Sequence, residues 1–282
     1  MIPRITHSRS RLFSYLTDFE DGAYVFGVSS DTYPKLFELA HPNLVAKAPN
    51  GWRSNSKGNC KYLWYPPGAL DEHELNVMED WREKFGQYVL LGLNPNIAPH
   101  FANELDFCMA LDFNYVPSEG KRTIYGEAEY QLKYQDSRQH VQVLANALVD
   151  AISDLPIPAE CWDDFCISCV PSSPNVASVQ YRLASAVAGK IAVEFVDADL
   201  NCPKPSLKGV TVDQKIPIWR KLYDDGCVVL SGSVEDRLVV VIDDLYQSGA
   251  TLWMFAKYLK EQGASHVIGL PCVKSLGDSD NQ

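Results

Sequence analysis

The chain has 282 residues, 46% of them hydrophobic and 22% charged, with 36 acidic and 25 basic side chains giving a formal charge of −11. This length can bury roughly three quarters of the surface the unfolded chain exposes, in one large domain or two smaller ones, and the composition excludes global disorder. The acidic balance argues against a sequence-independent nucleic-acid clamp, which needs Lys and Arg to neutralise phosphates, and it favours solubility.

In chain order, the first dozen residues carry Arg4, Arg9 and Arg11 and read as a solvated tail. AYVFGVSS, from Ala23, reads as a strand, and residues 48–61, rich in Gly, Asn, Ser and Lys, as a loop. KYLWYPPGAL closes on a Pro-Pro-Gly turn. DEHELNVMEDWREKFG, from Asp71, opens with acids and sets Leu75, Met78 and Trp81 at helical spacing, so an amphipathic helix is predicted. QYVLLGLNPNI, from Gln87, reads as a buried strand ending in a turn. These elements predict a small α/β domain over residues 1–122, of unknown role.

A second pattern, assigned to residues 123–282, follows. EAEYQLKYQDSRQHVQVLANALVDAIS, from Glu127, is helical, with a break expected near Asp136. DDFCISCVPSSPN, from Asp163, reads as a central strand and a loop, and YRLASAVAGKIAVEFV, from Tyr181, as a helix leading into a strand. NCPKPSLKG, from Asn201, reads as a Pro/Lys loop. RLVVVIDDLYQSGATLWMFAKYLKEQGASHVIGLPCV is strand, turn, helix, Gly263 and strand, a βαβ unit. The expected fold is α/β: a parallel sheet with flanking helices, preceded by the small α/β domain.

VVVIDDLYQSGAT, from Val239 to Thr251, carries the chemistry. Four β-branched residues suit a strand buried on both faces. Asp243 and Asp244 follow where ligands bind in open parallel sheets, beyond the strands' carboxyl ends. Gln247, Ser248, Gly249, Ala250 and Thr251 then lead into a helix whose first amides and dipole favour an anion. Two carboxylates beside a phosphate cradle make sense if they accept hydrogen bonds from sugar hydroxyls, with a divalent cation nearby. The plainer alternative is a βα turn whose acids cap a helix.

This motif closely resembles the phosphoribosyl pyrophosphate (PRPP) motif of type I phosphoribosyltransferases. The resemblance implies that Asp243 and Asp244 contact the ribose hydroxyls and that Gln247 to Thr251 hold the 5′-phosphate. Tyr246 and Gln247 stand where smaller residues are usual. CISCVPSSPN, from Cys166, resembles the family's strand and pyrophosphate loop, which implies that role for Ser172, Ser173, Pro174 and Asn175. YQLKYQDSRQHVQVLANAL, from Tyr130, resembles the Leu-Lys-Tyr/Phe helix entry of the ComF-like branch. CPKPSLKG and then DQKIPIWRKLY are similar to its flexible loop, with Lys204 and Lys208 as candidates and closure placed between Asn201 and Lys215. ComF-like proteins carry an Arg-rich stretch after the pyrophosphate loop, where this chain offers only Arg182.

The resemblance implies a Mg²⁺-dependent phosphoribosyltransferase that moves phosphoribosyl from PRPP to a nitrogen acceptor and releases pyrophosphate. Mg²⁺ would come with PRPP near Asp243 and Asp244, with no protein ligand assigned to it. The alternative is a non-catalytic PRPP- or nucleotide-binding regulator, or a DNA-uptake or defence-system component, on the same fold. A homodimer is compatible with the sequence. No apolar run approaches about 18 residues, so no membrane span is predicted. The N-terminus lacks a leader pattern and the 8 cysteines form no disulfide framework, so a cytoplasmic protein with reduced thiols is expected. Cys166 and Cys169 lack the second pair of a structural zinc site and are assigned to the core, as are Trp253 and Phe255.

Overall fold

The computed structural model describes residues 10–276 except 12, 30–31, 94–97, 103, 117–118, 156, 158, 173–177 and 204–209. Two compact units divide the chain, one ending at Gly92 and the other starting at Leu93.

The first unit contains β1 (Ser10–Arg11), β2 (Ser14–Asp18), β3 (Tyr24–Ser29), α1 (Thr32–Ala40), α2 (Pro42–Ala46), β4 (Arg53–Ser54), β5 (Cys60–Tyr65), α3 (Glu72–Gln87) and β6 (Val89–Leu90). An antiparallel sheet runs β2–β3–β5–β4, and β1 pairs antiparallel with β6. The helix predicted from Asp71 begins there for a local reason. The Asp71 carboxylate accepts from the Glu74 amide at 2.8 Å while Glu74 accepts from the Asp71 amide at 3.1 Å, satisfying two otherwise orphaned donors. Met78 and Trp81 are buried, whereas Leu75 is half-buried. The ring of Phe37 lies 4.5 Å from Phe26 and 5.0 Å from Trp81, joining sheet and helices in one aromatic core. The strand expected from Gln87 shrinks to Val89–Leu90, because α3 runs on through Gln87.

The second unit contains β7 (Phe107–Ala110), β8 (Asp112–Phe113), α4 (Ile124–Tyr134), α5 (Arg138–Ser153), β9 (Phe165–Cys169), α6 (Val179–Ile191), β10 (Glu194–Val196), β11 (Ala198–Leu200), α7 (Val212–Asp224), β12 (Val228–Leu230), β13 (Leu238–Tyr246), α8 (Ala250–Glu261) and β14 (His266–Lys274). Its sheet is parallel in the order β7–β14–β13–β9–β10, with β8 also beside β14. The architecture is α/β, with helices flanking a parallel sheet. α6 and α8 are the crossovers of two βαβ units, and α6 lies against β9 and β13 while α8 lies against β13 and β14. Val239, Val240, Val241 and Ile242 are wholly buried, as a central strand covered on both faces requires. The break between α4 and α5 falls at Asp136, whose φ of 49° is left-handed and ends the helical path.

Three expectations change. Residues 93–122, read from sequence as part of the first domain, belong to the second unit: Phe107 and Cys108 pair with Ile268 and Gly269, and Asp112 and Phe113 with Val273 and Lys274. The flexible-loop reading extended to Lys215, but α7 starts at Val212, where Thr211 and Gln214 form a capping box and Ile216 and Trp219 are buried. The thiols are also not all reduced. β11 and β12 are antiparallel neighbours, and the Asn201 amide donates to the Cys227 carbonyl at 2.8 Å. This brings the Cα atoms of Cys202 and Cys227 to 5.4 Å, where they form a disulfide.

Candidate functional site

β13 outlasts β9 at its carboxyl end. Ile242 stands opposite Cys169, the last residue of β9, and Asp243 opposite Pro271 of β14. Asp243 and Asp244 therefore sit at the edge where the parallel sheet opens, in the place expected for a ligand site. The strand continues through both acids to Tyr246, so they are held by sheet backbone as well as by local hydrogen bonds. The Asp244 amide donates to Asp243 Oδ1 at 2.9 Å, and the Leu245 amide to Asp244 Oδ1 at 2.8 Å. Asp243 is buried, and burial followed by the charge of Asp244 pushes its carboxyl well above the usual carboxylate range.

The last turn of α4 reaches this pair. Lys133 Nζ lies 2.7 Å from Asp244 Oδ2 and 3.5 Å from Glu129 Oε1, one helical turn earlier. Glu129 is 5% exposed, and burial raises its carboxyl against the lowering effect of Lys133. For the Lys133 ammonium, partial burial favours proton loss, but the charge and hydrogen bond of Asp244 outweigh it and the pKa rises. Neither Lys133 nor Glu129 had a role in the sequence reading. Leu132-Lys133-Tyr134 was noticed only as a pattern, because nothing local links it to a partner 111 residues away.

Beyond Tyr246, Gln247 and Thr251 are half-buried and Ser248, Gly249 and Ala250 are buried. Gly249 is the N-cap of α8, with φ 87°, and offers no side-chain acceptor to the helix's first amides. Ser248 Oγ accepts from the Ala250 amide at 3.3 Å. Tyr246, unusual in the motif, has a structural explanation. Its buried ring lies under Gly249, and the Trp253 Nε1–H donates to its hydroxyl at 3.3 Å. Trp253 also packs on Phe101, ring centres 5.6 Å apart, so it belongs to the core that supports the loop.

Of the expected pyrophosphate loop, Ser172 forms a parallel bridge with Asp199, while Ser173, Pro174 and Asn175 lie outside the described residues. The Val170 amide donates to the Ile242 carbonyl at 3.4 Å, so the stem of that loop runs beside the Asp pair. Lys204 and Lys208 also lie outside the described residues, and Lys215 is buried on α7. Arg182 is committed to Asp136 at 2.6 Å. Cys166 and Cys169 are buried in β9, and the Cys169 thiol donates to Asp197 Oδ1 at 3.8 Å. Asp197, another acid at this end of the sheet, went unremarked in the sequence.

Among the described residues, no group of three or more His, Cys, Asp or Glu side chains is placed to hold a metal.

No protein-family model matches the chain, and no curated protein matches it. Among solved structures, a hypoxanthine phosphoribosyltransferase from Staphylococcus aureus is similar over 48% of this chain and 62% of that one, at 14% identity and TM-score 0.31. The chain thus matches less than two thirds of that protein's length. A purine phosphoribosyltransferase from Pyrococcus horikoshii is similar over 50% of this chain and 85% of its own, at 16% identity and TM-score 0.31. UMP synthase from Leishmania donovani is similar over 56% and 27%, at 15% identity and TM-score 0.30. At such scores the likeness carries no argument about family or activity. No helix among the described residues is long and apolar enough to cross a membrane.

Proposed function

We propose that the second unit binds PRPP together with Mg²⁺ and is a phosphoribosyltransferase acting on a nitrogen acceptor. One observation carries this reading: an Asp-Asp pair at the carboxyl end of a central parallel strand, followed at once by a small-residue loop and a helix N-terminus. In this reading Asp243 and Asp244 orient the ribose hydroxyls. Gln247 to Thr251 and the first amides of α8 hold the 5′-phosphate, Gly249 permitting close backbone approach. The C1–O bond breaks through an oxocarbenium-like transition state, so the protein contributes positioning and electrostatics, and no protein nucleophile is needed. Mg²⁺, when bound, offsets the charge of the departing pyrophosphate. The stem of the loop after β9 lies beside the Asp pair, and in this reading Ser172, Ser173, Pro174 and Asn175 take the pyrophosphate role.

A second reading is favoured by the Arg182–Asp136 pair. The arginine of α6, the helix after the loop, is already paired with Asp136, which suits a protein that binds PRPP or a nucleotide and does not turn it over. The assay that separates the two readings is PRPP-dependent release of pyrophosphate across a panel of bases, ammonia and amides. Release that is lost in Asp243→Asn/Asp244→Asn supports the transferase. Binding with no release for any acceptor supports the regulator.

A further inference from the structure

Lys133 is a cation placed directly on Asp244 of the acidic pair, and it reaches the pair from a different element. Two acids flank its ammonium, Asp244 at 2.7 Å and Glu129 at 3.5 Å. The lysine side chain is 34% exposed and Asp244 18%, so the contact stands at the rim of the site, where solvent and ligand both reach it. Glu129 is 7% exposed at its side chain and sits one turn before Lys133 on the same helix, which limits where the ammonium can go. Both oxygens of Asp244 are engaged, Oδ1 by the Leu245 amide and Oδ2 by Lys133, and the carboxylate is thereby fixed in one orientation. Without Lys133, Asp244 and Glu129 would approach each other with no counter-charge, and an anionic ligand would meet a site more negative by one unit.

We propose that Lys133 is a positioning residue for an anionic sugar phosphate: it fixes the Asp244 carboxylate and offsets the negative charge of the Asp pair, with Glu129 as its anchor. This rests on the PRPP reading above. The role differs from that of a structural ion pair in one respect. It scales with the charge of the ligand, because the ammonium acts on the field the ligand meets. It also overlaps with the work of a divalent cation, so losing the lysine makes binding lean harder on Mg²⁺.

The test is calorimetric titration of the full chain with PRPP and with ribose 5-phosphate, each at low and at saturating Mg²⁺. The variants are Lys133→Met, Lys133→Gln and Lys133→Arg, each checked by thermal melting. Lys133→Met is expected to lose about tenfold in PRPP affinity at low Mg²⁺, a change of about 1.4 kcal/mol. It should lose less for ribose 5-phosphate, which carries less charge, and recover in part at saturating Mg²⁺. Lys133→Arg keeps the charge and should stay within about threefold of wild type. If Lys133→Met does not fold, Lys133→Gln, neutral but polar, carries the test, with a loss for PRPP in the same charge-dependent pattern. Equal losses for both ligands, no loss at all, or an arginine variant as weak as the methionine one would overturn the proposal while leaving the PRPP reading intact. A wild type that binds neither ligand would overturn the PRPP reading itself, and this proposal with it.

Discussion

The ring of Tyr246 occupies the space where a side chain on Gly249 would begin. A Cβ built on Gly249 would lie 2.2 Å from the tyrosine hydroxyl oxygen, and the glycine's φ of 87° is one that L side chains rarely adopt. The loop that leads into α8 is therefore shaped from beneath by an aromatic residue, and glycine is required on both steric and conformational grounds.

Gly249→Ala is accordingly expected to cost about 2 kcal/mol or more, through positive-φ strain and displacement of the Tyr246 ring. Thermal melting checks it. A wild-type melting temperature would mean that the loop has room the geometry denies it.

Tyr246→Phe keeps the ring under Gly249 but removes the acceptor for Trp253 Nε1–H. The buried indole donor is left without that partner, and a loss of about 1–3 kcal/mol is expected in denaturant titration. The steric support of the loop should survive, so ligand binding should fall far less than in Gly249→Ala.

Asp243→Asn should separate stability from function. The carboxyl is buried beside Asp244, an unfavourable place for a second charge. Asparagine is neutral and its amide oxygen can still accept from the Asp244 amide. The variant is expected to melt at or above the wild-type temperature near neutral pH. A large drop in melting temperature would contradict the assigned burial cost.

Glu74 supplies a pH-dependent prediction for the first unit. Hydrogen bonding by Lys47, then by the Asp71 amide, lowers its carboxyl below the ordinary value of 4.5. A lowered folded pKa means that the unfolded chain binds the proton first. The stabilisation is thus present above 4.5 and is lost as pH falls through the folded value. Glu74→Gln should flatten this acid limb in melting curves taken across that window, and an unchanged limb would refute the linkage.

Much of the second unit was legible because its signals are local. The β-branched run of β13, the turn residues after it and the glycine between α8 and β14 each announce themselves within a few positions. The break at Asp136 was legible for the same reason. What the sequence hid depends on distant partners. β7 and β8 are too short to declare a sheet, and only pairing with β14 makes them parts of it. The start of α7 was hidden by the resemblance of DQKIPIWRKLY to a flexible loop, although the capping box at Thr211 was available as a signal. The Cys202–Cys227 bond needed the β11–β12 ribbon to bring its ends together. Lys133 could not be paired with Asp244 before α4 was packed beside β14, the neighbour of β13.

The most direct measurement of the central claim is calorimetric titration of Mg²⁺–PRPP into the wild-type chain beside Asp243→Asn/Asp244→Asn, with both shown to be folded. The account predicts saturable binding by the wild type and its loss in the double variant. A folded wild type that binds no PRPP, or a double variant that binds it equally well, would contradict the account.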